Sequence, residues 1–167
     1  MVKTEIGLWP FSLKVYGKSG VPPACLLLQD RFGADVSILL YACWMAKRGR
    51  RLMAEDLTRA RDLCADWHSQ IIVPARVLRR HLKACVLEDQ AKTPVYQAFK
   101  AAELAAEKAQ QATLEQAAGR YGAAVETVTD QAPIAANARA YFEALNVMLD
   151  DDGEAALARI VAQSLMI

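Results

Sequence analysis

The 167-residue chain contains none of the short motifs that identify common enzyme classes. No GxxxxGKS/T or GxGxxG segment is present to hold a phosphate or a dinucleotide, and no GxSxG or HExxH segment indicates a serine hydrolase or a zinc protease. Helix-turn-helix, RNP and zinc-finger spacings are also missing, and the net charge is only +1, which argues against nucleic acid as a partner. Because these motifs are missing, we predict no cofactor and favour a protein that is not an enzyme.

Long hydrophobic runs and strand-like alternation are scarce as well. The apolar run over residues 36–46 is shorter than the roughly 20 residues that a bilayer requires, so no membrane insertion is expected. The first residues hold no apolar stretch typical of a secretory signal, and the expected location is the cytoplasm. Because neither period-2 alternation nor an internal repeat is found, the predicted class is all-α.

Cysteine is sparse, and no CxxC pair occurs. In a reducing cytoplasm, single cysteines among apolar neighbours usually act as small buried hydrophobic residues, so disulfides are not expected. The four are Cys25, Cys43, Cys64 and Cys85.

The segment over residues 35–48 is the hydrophobic centre of the sequence. It begins with Asp35, a good N-cap, and ends with Lys47 and Arg48, which suit the negative end of a helix dipole, before Gly49. A helix that is apolar on every side is normally surrounded by other helices. We therefore predict a compact bundle of about seven to eight helices around the buried helix 35–48.

Helical periodicity predicts the other members of this bundle. The expected helices cover residues 8–16, 24–32, 54–70, 74–85 and 93–118, followed by two more helices after an irregular connection at 125–133. Asp152 is the predicted cap of the last helix. Only about three residues separate helices 54–70 and 74–85, so the two are predicted to pack as an antiparallel hairpin.

The composition changes near residue 90. Residues 1–90 hold 14 Lys and Arg against 9 Asp and Glu, whereas residues 91–167 hold 6 against 10. We predict a helical core over 1–90 and an Ala-rich helical part over 91–167 that packs on the same domain. A charge difference of this kind steers partners or attracts the two halves to each other.

Aromatic, Gln-Asp and Arg positions follow a specific spacing in the first half. They are Trp9-Pro10-Phe11-Ser12, Tyr16, Val21, Ala24-Cys25, Leu28-Gln29-Asp30, Gly33-Ala34-Asp35-Val36, Leu39-Leu40, Trp44, Trp67, Val73-Pro74-Ala75-Arg76, Arg79-Arg80 and Leu82-Lys83. On these residues, the chain resembles a family of uncharacterised proteobacterial proteins known as a domain of unknown function, DUF2390. The resemblance covers roughly residues 8–86 and not the Ala-rich second half. It implies a small bacterial cytosolic protein and brings no assigned activity.

The helix predicted from Pro74 places its cations on one face. That face and the basic turn before residue 54 form a predicted cationic surface for an acidic protein partner. Its members are Arg76, Arg79, Arg80, Lys83, Lys47, Arg48, Arg50 and Arg51. The competing interpretation is a solvated face whose charges pair with Asp62, Asp66 and Glu88 or with the acidic second half.

Two Cys/His pairs with a spacing of four residues are the only candidate metal ligands in the sequence. In the predicted hairpin, Cys64 would face Cys85 and His68 would face His81, which would suit a Cys₂His₂ zinc site. The preferred interpretation is no metal, with two core cysteines and two histidines at the core boundary. No Asn or Asp is placed in the sequence to orient a Cys-His nucleophile.

Gln29 and Asp30 close the second helix, where an acid opposes the helix dipole. We interpret them as a structural tie to the central helix. The alternative is a ligand pocket among the N-terminal helices, lined by Trp9, Tyr16, Gln29, Asp30, Tyr41 and Trp44.

The sequence leaves two functions open. The leading hypothesis is a non-enzymatic interaction or adaptor protein that presents its cationic surface to another protein, with a homodimer as one form. The alternative is a small-ligand binder or enzyme that uses the pocket near Gln29 and Asp30.

Overall fold

The computed structural model describes residues 6–85, 88–124 and 130–167, the side chains of 89–91 excepted. Most of the predicted connection at 125–133 lies outside these ranges. Eight α-helical segments make up the described chain: α1 Leu8–Tyr16, α2 Val21–Phe32, α3 Val36–Lys47, α4 Ala54–Trp67, α5 Val73–Ala84, α6 Asp89–Ala117, α7 Ala132–Leu145 and α8 Asp151–Leu165. A π-helical turn, His68–Ile72, joins α4 to α5, so that seven separate helices remain in the described ranges. The prediction of an all-α bundle is confirmed.

Helix α3 is the centre of the bundle, as its sequence predicts. Every residue from Ser37 to Ala46 is at most 6% exposed. Asp35 caps the helix because its Oδ1 accepts a hydrogen bond from the backbone N–H of Ser37 at 2.9 Å. Helices α1, α2, α4, α6, α7 and α8 all contact α3, so no side of it faces water.

Asn137 of α7 connects the central helix to the only strand pair in the described chain, β1 Arg50–Arg51 and β2 Ala123–Ala124. Its Nδ2 donates to the carbonyl oxygens of Ala42 at 3.1 Å and Arg50 at 2.8 Å. Its Oδ1 accepts from the backbone N–H of Leu52 at 2.9 Å. The side chain is fully buried, and it satisfies backbone groups that no water reaches.

The predicted antiparallel hairpin of helices 54–70 and 74–85 is wrong. The backbone of Trp67, His68, Ile72 and Val73 keeps right-handed helical angles, so the chain continues forward instead of reversing. Pro74 lacks an N–H and its ring crowds the preceding turn, and the wider π-helical turn accommodates it, with Val73 N–H bonding five residues back to His68. Helix α5 therefore packs along α6.

Smaller differences concern helix ends. Helix α2 begins at Val21 because Pro22 and Pro23 lie in its first turn, where a missing N–H costs little. Helix α6 begins at Asp89, before the predicted start at 93. The cap of α8 is Asp150, whose Oδ1 accepts from Gly153 N–H at 2.9 Å, and not the predicted Asp152.

The four cysteines are free thiols, and three of them are buried as predicted. Burial raises the pKa of Cys25 and of Cys43 to about 12. Cys85, which follows the last residue of α5, is exposed, contrary to the prediction that it is a core residue. No helix in the described ranges combines the length and the apolarity that crossing a bilayer requires.

We expect Asn137→Ala to lower the free energy of unfolding by about 2 to 3 kcal/mol, because it leaves buried backbone groups without partners. Urea denaturation followed by circular dichroism measures this. The matched control is Gln116→Ala on the exposed face of α6, which should change stability by less than about 0.5 kcal/mol. Equal effects of the two substitutions would contradict the role assigned to Asn137.

Candidate functional site

A cavity of about 320 Å³ lies between α1, α2, α3, α5 and α6, and we call it the α5–α6 cleft. Its size is at the lower end of the range for small-ligand sites, about 300 to 1,000 Å³. Apolar and aromatic residues form much of its wall: Trp9, Leu13, Tyr16, Leu26, Val36, Leu40 and Leu104. The polar residues of the lining are Ser12, Gln29, Ser37, Arg76, Arg79, Lys100, Glu103, Glu107 and Gln111.

Helix α6 supplies a row of polar side chains to this cleft. Glu103, Glu107 and Gln111 are spaced four residues apart, so they lie on one side of the helix. Glu103 is only 6% and Gln111 only 3% exposed. The Ala-rich helix therefore buries polar side chains on the face that lines the cleft.

Two arginines of α5 hold the first carboxylates of this row. Arg76 Nε lies 2.8 Å from Glu103 Oε1, and its second amino group lies 2.9 Å from Glu107 Oε1. Arg79 Nε contacts the other oxygen of Glu103. Charge-assisted pairs of this kind fix side-chain positions, and with Arg76 14% exposed the network is shielded from water.

The pKa values of the two glutamates are shifted in opposite directions. Burial acts to raise the pKa of Glu103, but hydrogen bonds from Arg79 and Arg76 outweigh it, and the pKa is lowered. Burial raises the pKa of Glu107, and the attraction of Arg76 offsets this only in part. The cleft thus holds one carboxyl group whose pKa is lowered by paired arginines and one whose pKa is raised by burial.

Three acceptor atoms in the cleft have no donor among the described residues. Ser12 Oγ and Gln111 Oε1 are buried without a hydrogen-bond partner. Glu107 accepts from Arg76 through Oε1, and no described group donates to its Oε2. Buried polar atoms in native proteins are nearly always hydrogen-bonded, so Ser12 Oγ and Gln111 Oε1 mark a part of the cleft that is suited to a hydrogen-bonding ligand. Glu107, which is 28% exposed, is one helical turn from Gln111.

The predicted pocket residues fall into two groups. Trp9, Tyr16 and Gln29 line the cleft as expected. Tyr41 and Trp44 do not, because both are buried in the core at 0% and 1% exposure, and the indole N–H of Trp44 donates to Ile6 O at 2.8 Å.

Asp30 lies outside the cleft, and its predicted tie to the central helix is wrong. Its Oδ1 accepts from Arg80 of α5 at 2.8 Å, at the surface. The carboxylate therefore connects α2 to α5, on the outer side of the arginines that enter the cleft.

The predicted cationic surface is engaged within the molecule. Arg76 and Arg79 pair with glutamates of α6, which belongs to the acidic second half, as the competing interpretation expects. Arg80 pairs instead with Asp30 of α2, which neither interpretation named. Lys83 is exposed. Partner binding through the exposed members stays a prediction.

The cations of the basic turn have contacts of their own. Lys47 Nζ donates to Leu165 O at 2.9 Å, and Arg50 donates to Tyr121 O at 2.8 Å. Arg48 lies over the ring of Trp44, 4.6 Å from its centroid, and Arg51 is 3.5 Å from Asn137 Oδ1. These contacts serve the fold around β1 and β2.

The four predicted metal ligands are not brought together. Cys64 is buried on α4, whereas Cys85 and His81 are exposed near the end of α5. About 20 residues of continuous helix separate the two cysteines, on the order of 30 Å at 1.5 Å per residue. In the described part of the chain, no group of three or more His, Cys, Asp or Glu is placed to hold a metal ion.

His68 has a partner that the sequence does not reveal. Its Nδ1 lies 2.9 Å from Asp35 Oδ2, in the wall of a second cavity of about 210 Å³. Gln110 Nε2 donates to the same oxygen at 2.6 Å, and the backbone N–H of Asp35 donates to Tyr141 Oη at 2.7 Å. The N-cap of the central helix therefore also contacts His68, and it is the counter-ion of the imidazole when His68 is protonated.

The pKa shifts agree with an ion pair. Burial acts to raise the pKa of Asp35, but the contacts with His68 and Gln110 outweigh it and lower the pKa. The contact with Asp35 raises the pKa of His68 against the opposing effect of burial. Burial raises the pKa of the Cys64 thiol to about 11, and the charge of Asp35 adds to this, so Cys64 is a poor nucleophile despite its neighbouring histidine.

Two features of the site were missed from the sequence. The polar row of α6 was not predicted from the sequence, although the four-residue spacing of Glu103, Glu107 and Gln111 indicates a polar face. No sequence pattern indicates the contact between His68 and Asp35, because the two residues belong to different helical segments.

The fold and the cleft together define an all-α bundle with a small cleft that has apolar walls and a charged, hydrogen-bonding end. Residues 7–114 match the model of a family described as "Protein of unknown function (DUF2390)". Because this match covers about two thirds of the chain, the protein belongs to that family. No curated protein and no solved structure matches the chain.

The family match confirms the resemblance seen in the sequence and corrects its extent. It continues past residue 86 through most of α6 to residue 114, so the resemblance is not confined to the first half. Every residue that lines the α5–α6 cleft lies within the matched range.

We expect the stability of the protein to depend on His68 in a pH-sensitive way. Its pKa is raised on folding above about 6.5, so its contribution is complete below that pH and is lost as pH rises through the folded-state pKa. Because the pKa of Asp35 is lowered on folding, its contribution is complete above about pH 4 and is lost as pH falls through the lower folded-state pKa. His68→Gln should therefore cost about 1.5 to 3 kcal/mol near pH 5.5 and less near pH 8.5, as measured by urea denaturation.

His81→Gln on the exposed face of α5 is the matched control, and it should leave stability unchanged at both pH values within about 0.5 kcal/mol. A cost of His68→Gln that is the same at both pH values would show that the contact is not an ion pair.

Proposed function

We propose that the protein binds a small organic molecule in the α5–α6 cleft. The observation that carries the proposal is the pair of buried oxygen atoms without hydrogen-bond partners, Ser12 Oγ and Gln111 Oε1, in a cavity that has apolar and aromatic walls and is also lined by Glu107. Such walls bury the body of a ligand, while a few fixed polar atoms set its orientation.

The arginine–glutamate network supports the proposal because it makes the polar end rigid. Arg76 bridges Glu103 and Glu107, so the glutamate that faces the cleft does not need to be ordered by the ligand. Preorganised groups lose little conformational entropy on binding, which favours affinity from a small contact area.

The proposal includes a bacterial cytoplasm as the location. Free thiols at Cys25, Cys43, Cys64 and Cys85 support a reducing compartment, since an exposed thiol such as Cys85 is readily oxidised elsewhere.

A fragment screen by thermal shift and ligand-observed NMR tests the proposal. A ligand at about 100 times its dissociation constant should add about 2.7 kcal/mol to the stability of the protein. Leu104→Trp, at a half-exposed position of the cleft wall, should fill the cleft and weaken every specific hit by about tenfold or more.

Leu63→Trp on α4 is the control, because Leu63 is similarly exposed and does not line the cleft. The proposal fails if no fragment binds, or if the hits bind equally well to both variants and to the unmodified protein.

Self-association, the homodimer form of the interaction hypothesis, is the second candidate, and a specific observation favours it. Leu63, Trp67, Ile71 and Leu78 follow the continuous helix of α4 and α5 at spacings of four, four and seven residues, and each is 43% to 47% exposed. A row of large apolar side chains on a helix is suited to a helical partner. We infer that a second copy of the chain is that partner, in place of the acidic protein expected from the cationic surface.

Sedimentation velocity at high micromolar concentration tests this candidate. The unmodified protein should form a dimer, and Ile71→Glu should convert it to a monomer. Val77→Glu is the control, because Val77 is 44% exposed on the same helix but lies outside the row. A monomer at every concentration would rule the candidate out.

A further inference from the structure

We propose that the ligand of the α5–α6 cleft carries a primary ammonium group, which Glu107, Gln111 and Ser12 bind while its apolar body lies against the aromatic wall. This inference rests on the proposed ligand-binding function and narrows it to one chemical class. It follows from the hydrogen-bond capacity of the cleft, from its charge and from its size.

Gln111 Oε1 and Glu107 Oε2 can only accept a hydrogen bond, whereas the Ser12 hydroxyl can accept or donate. Glu103 is not among the free acceptors, because Arg76 and Arg79 occupy both of its oxygens. Gln111 uses its amide nitrogen on Ser37 Oγ at 3.4 Å and keeps Oε1 for another partner. A carboxylate or phosphate ligand has only acceptors to offer, whereas an ammonium group has three donors.

The local charges around Glu107 agree with a cationic head group. Arg76 and Arg79 are paired with the carboxylates of Glu103 and Glu107. The remaining cation of the lining, Lys100, is exposed and lies seven residues, or about two helical turns, before Glu107 on α6. Glu107 keeps an oxygen without a donor, and Gln111 lies one helical turn further along α6, with Cβ atoms about 5 to 6 Å apart. This spacing allows one nitrogen to contact both side chains.

The walls suit the rest of such a ligand. Trp9 and Tyr16 line the cleft, and aromatic rings attract ammonium groups and pack against apolar or aromatic bodies. At about 30 Å³ for each water molecule, a cavity of this size has room for roughly ten non-hydrogen atoms. A two-carbon amine with one aromatic ring has this size.

The raised pKa of Glu107 gives the proposal a pH signature. Glu107 must be ionised to pair with an ammonium group, and burial favours its neutral form. Amine affinity should therefore fall as pH decreases toward the raised pKa. Arg76, Arg79, Lys100 and Glu103 face the same cleft, and Tyr16 and Asp35 act on Glu107 from neighbouring helices.

Three ligands with the same body and different head groups test the inference: 2-phenylethylamine, 2-phenylethanol and 3-phenylpropionate. Isothermal titration calorimetry with the full chain should find the amine bound most tightly and the carboxylate most weakly. Glu107→Gln should weaken the amine by about tenfold to a hundredfold, as expected for the loss of an ion pair with a hydrogen bond, and should weaken the uncharged alcohol by a smaller factor. The same variant should abolish the fall in amine affinity between pH 8 and pH 5.

Ser12→Ala is a second variant that removes one acceptor without altering the charge network, and it should weaken the amine by a smaller factor. Glu143→Gln, on the exposed face of α7, is the matched control and should change nothing. Thermal unfolding of each variant checks that the fold is intact.

The possible outcomes separate the inference from the function it rests on. Binding of the alcohol or the carboxylate in preference to the amine, with sensitivity to Leu104→Trp, would overturn the ammonium assignment and keep the ligand-binding function. Amine binding that is indifferent to Glu107→Gln and Ser12→Ala would overturn the assignment as well. If none of the three ligands and no fragment of the screen binds, both the assignment and the function fail.

Discussion

The burial of α3 on every side is the constraint on which the rest of this structure depends. Residues 37–46 contribute almost no surface to solvent, so six other helices must arrange themselves around them. Burying one large apolar side chain is worth about 1.5 to 3 kcal/mol, and α3 concentrates several of them, including Leu39, Tyr41 and Trp44. The bundle is the arrangement that removes this helix from water.

The backbone N–H and C=O groups at the ends of a buried helix and beside it must find hydrogen-bond partners within the protein. Two side chains provide such partners. Asp35 caps the start of α3 and also contacts His68, while Asn137 bonds to backbone groups beside its second half. Both link α3 to helices far away in sequence. The same demand governs the α5–α6 cleft, where Arg76 and Glu103 neutralise each other at a distance from water.

Much of the fold was predictable because its signals are local. The apolar run of α3, the cap at Asp35 and the bounds of α1 follow from periodicity and from residues within one helical turn. The hairpin of α4 and α5 was predicted wrongly because a proline after a short gap indicates a break, and nothing local distinguishes a break from a π-helical turn. Part of the cleft was predicted: Trp9, Tyr16 and Gln29 line it. Arg76 and Arg79 also line it, but they were predicted from the sequence to form a cationic surface.

The sequence by itself determined the helices, the central position of α3 and the charges available to the cleft. The tertiary structure decided which charges meet: Arg76 with Glu103, 27 residues away, His68 with Asp35, and Arg80 with Asp30. The physical reason is that helix formation depends on contacts three or four residues apart, whereas a side-chain pair between helices depends on their relative rotation and offset. Those follow from packing around α3, and they turned a row of acids on α6 into the polar end of a cleft.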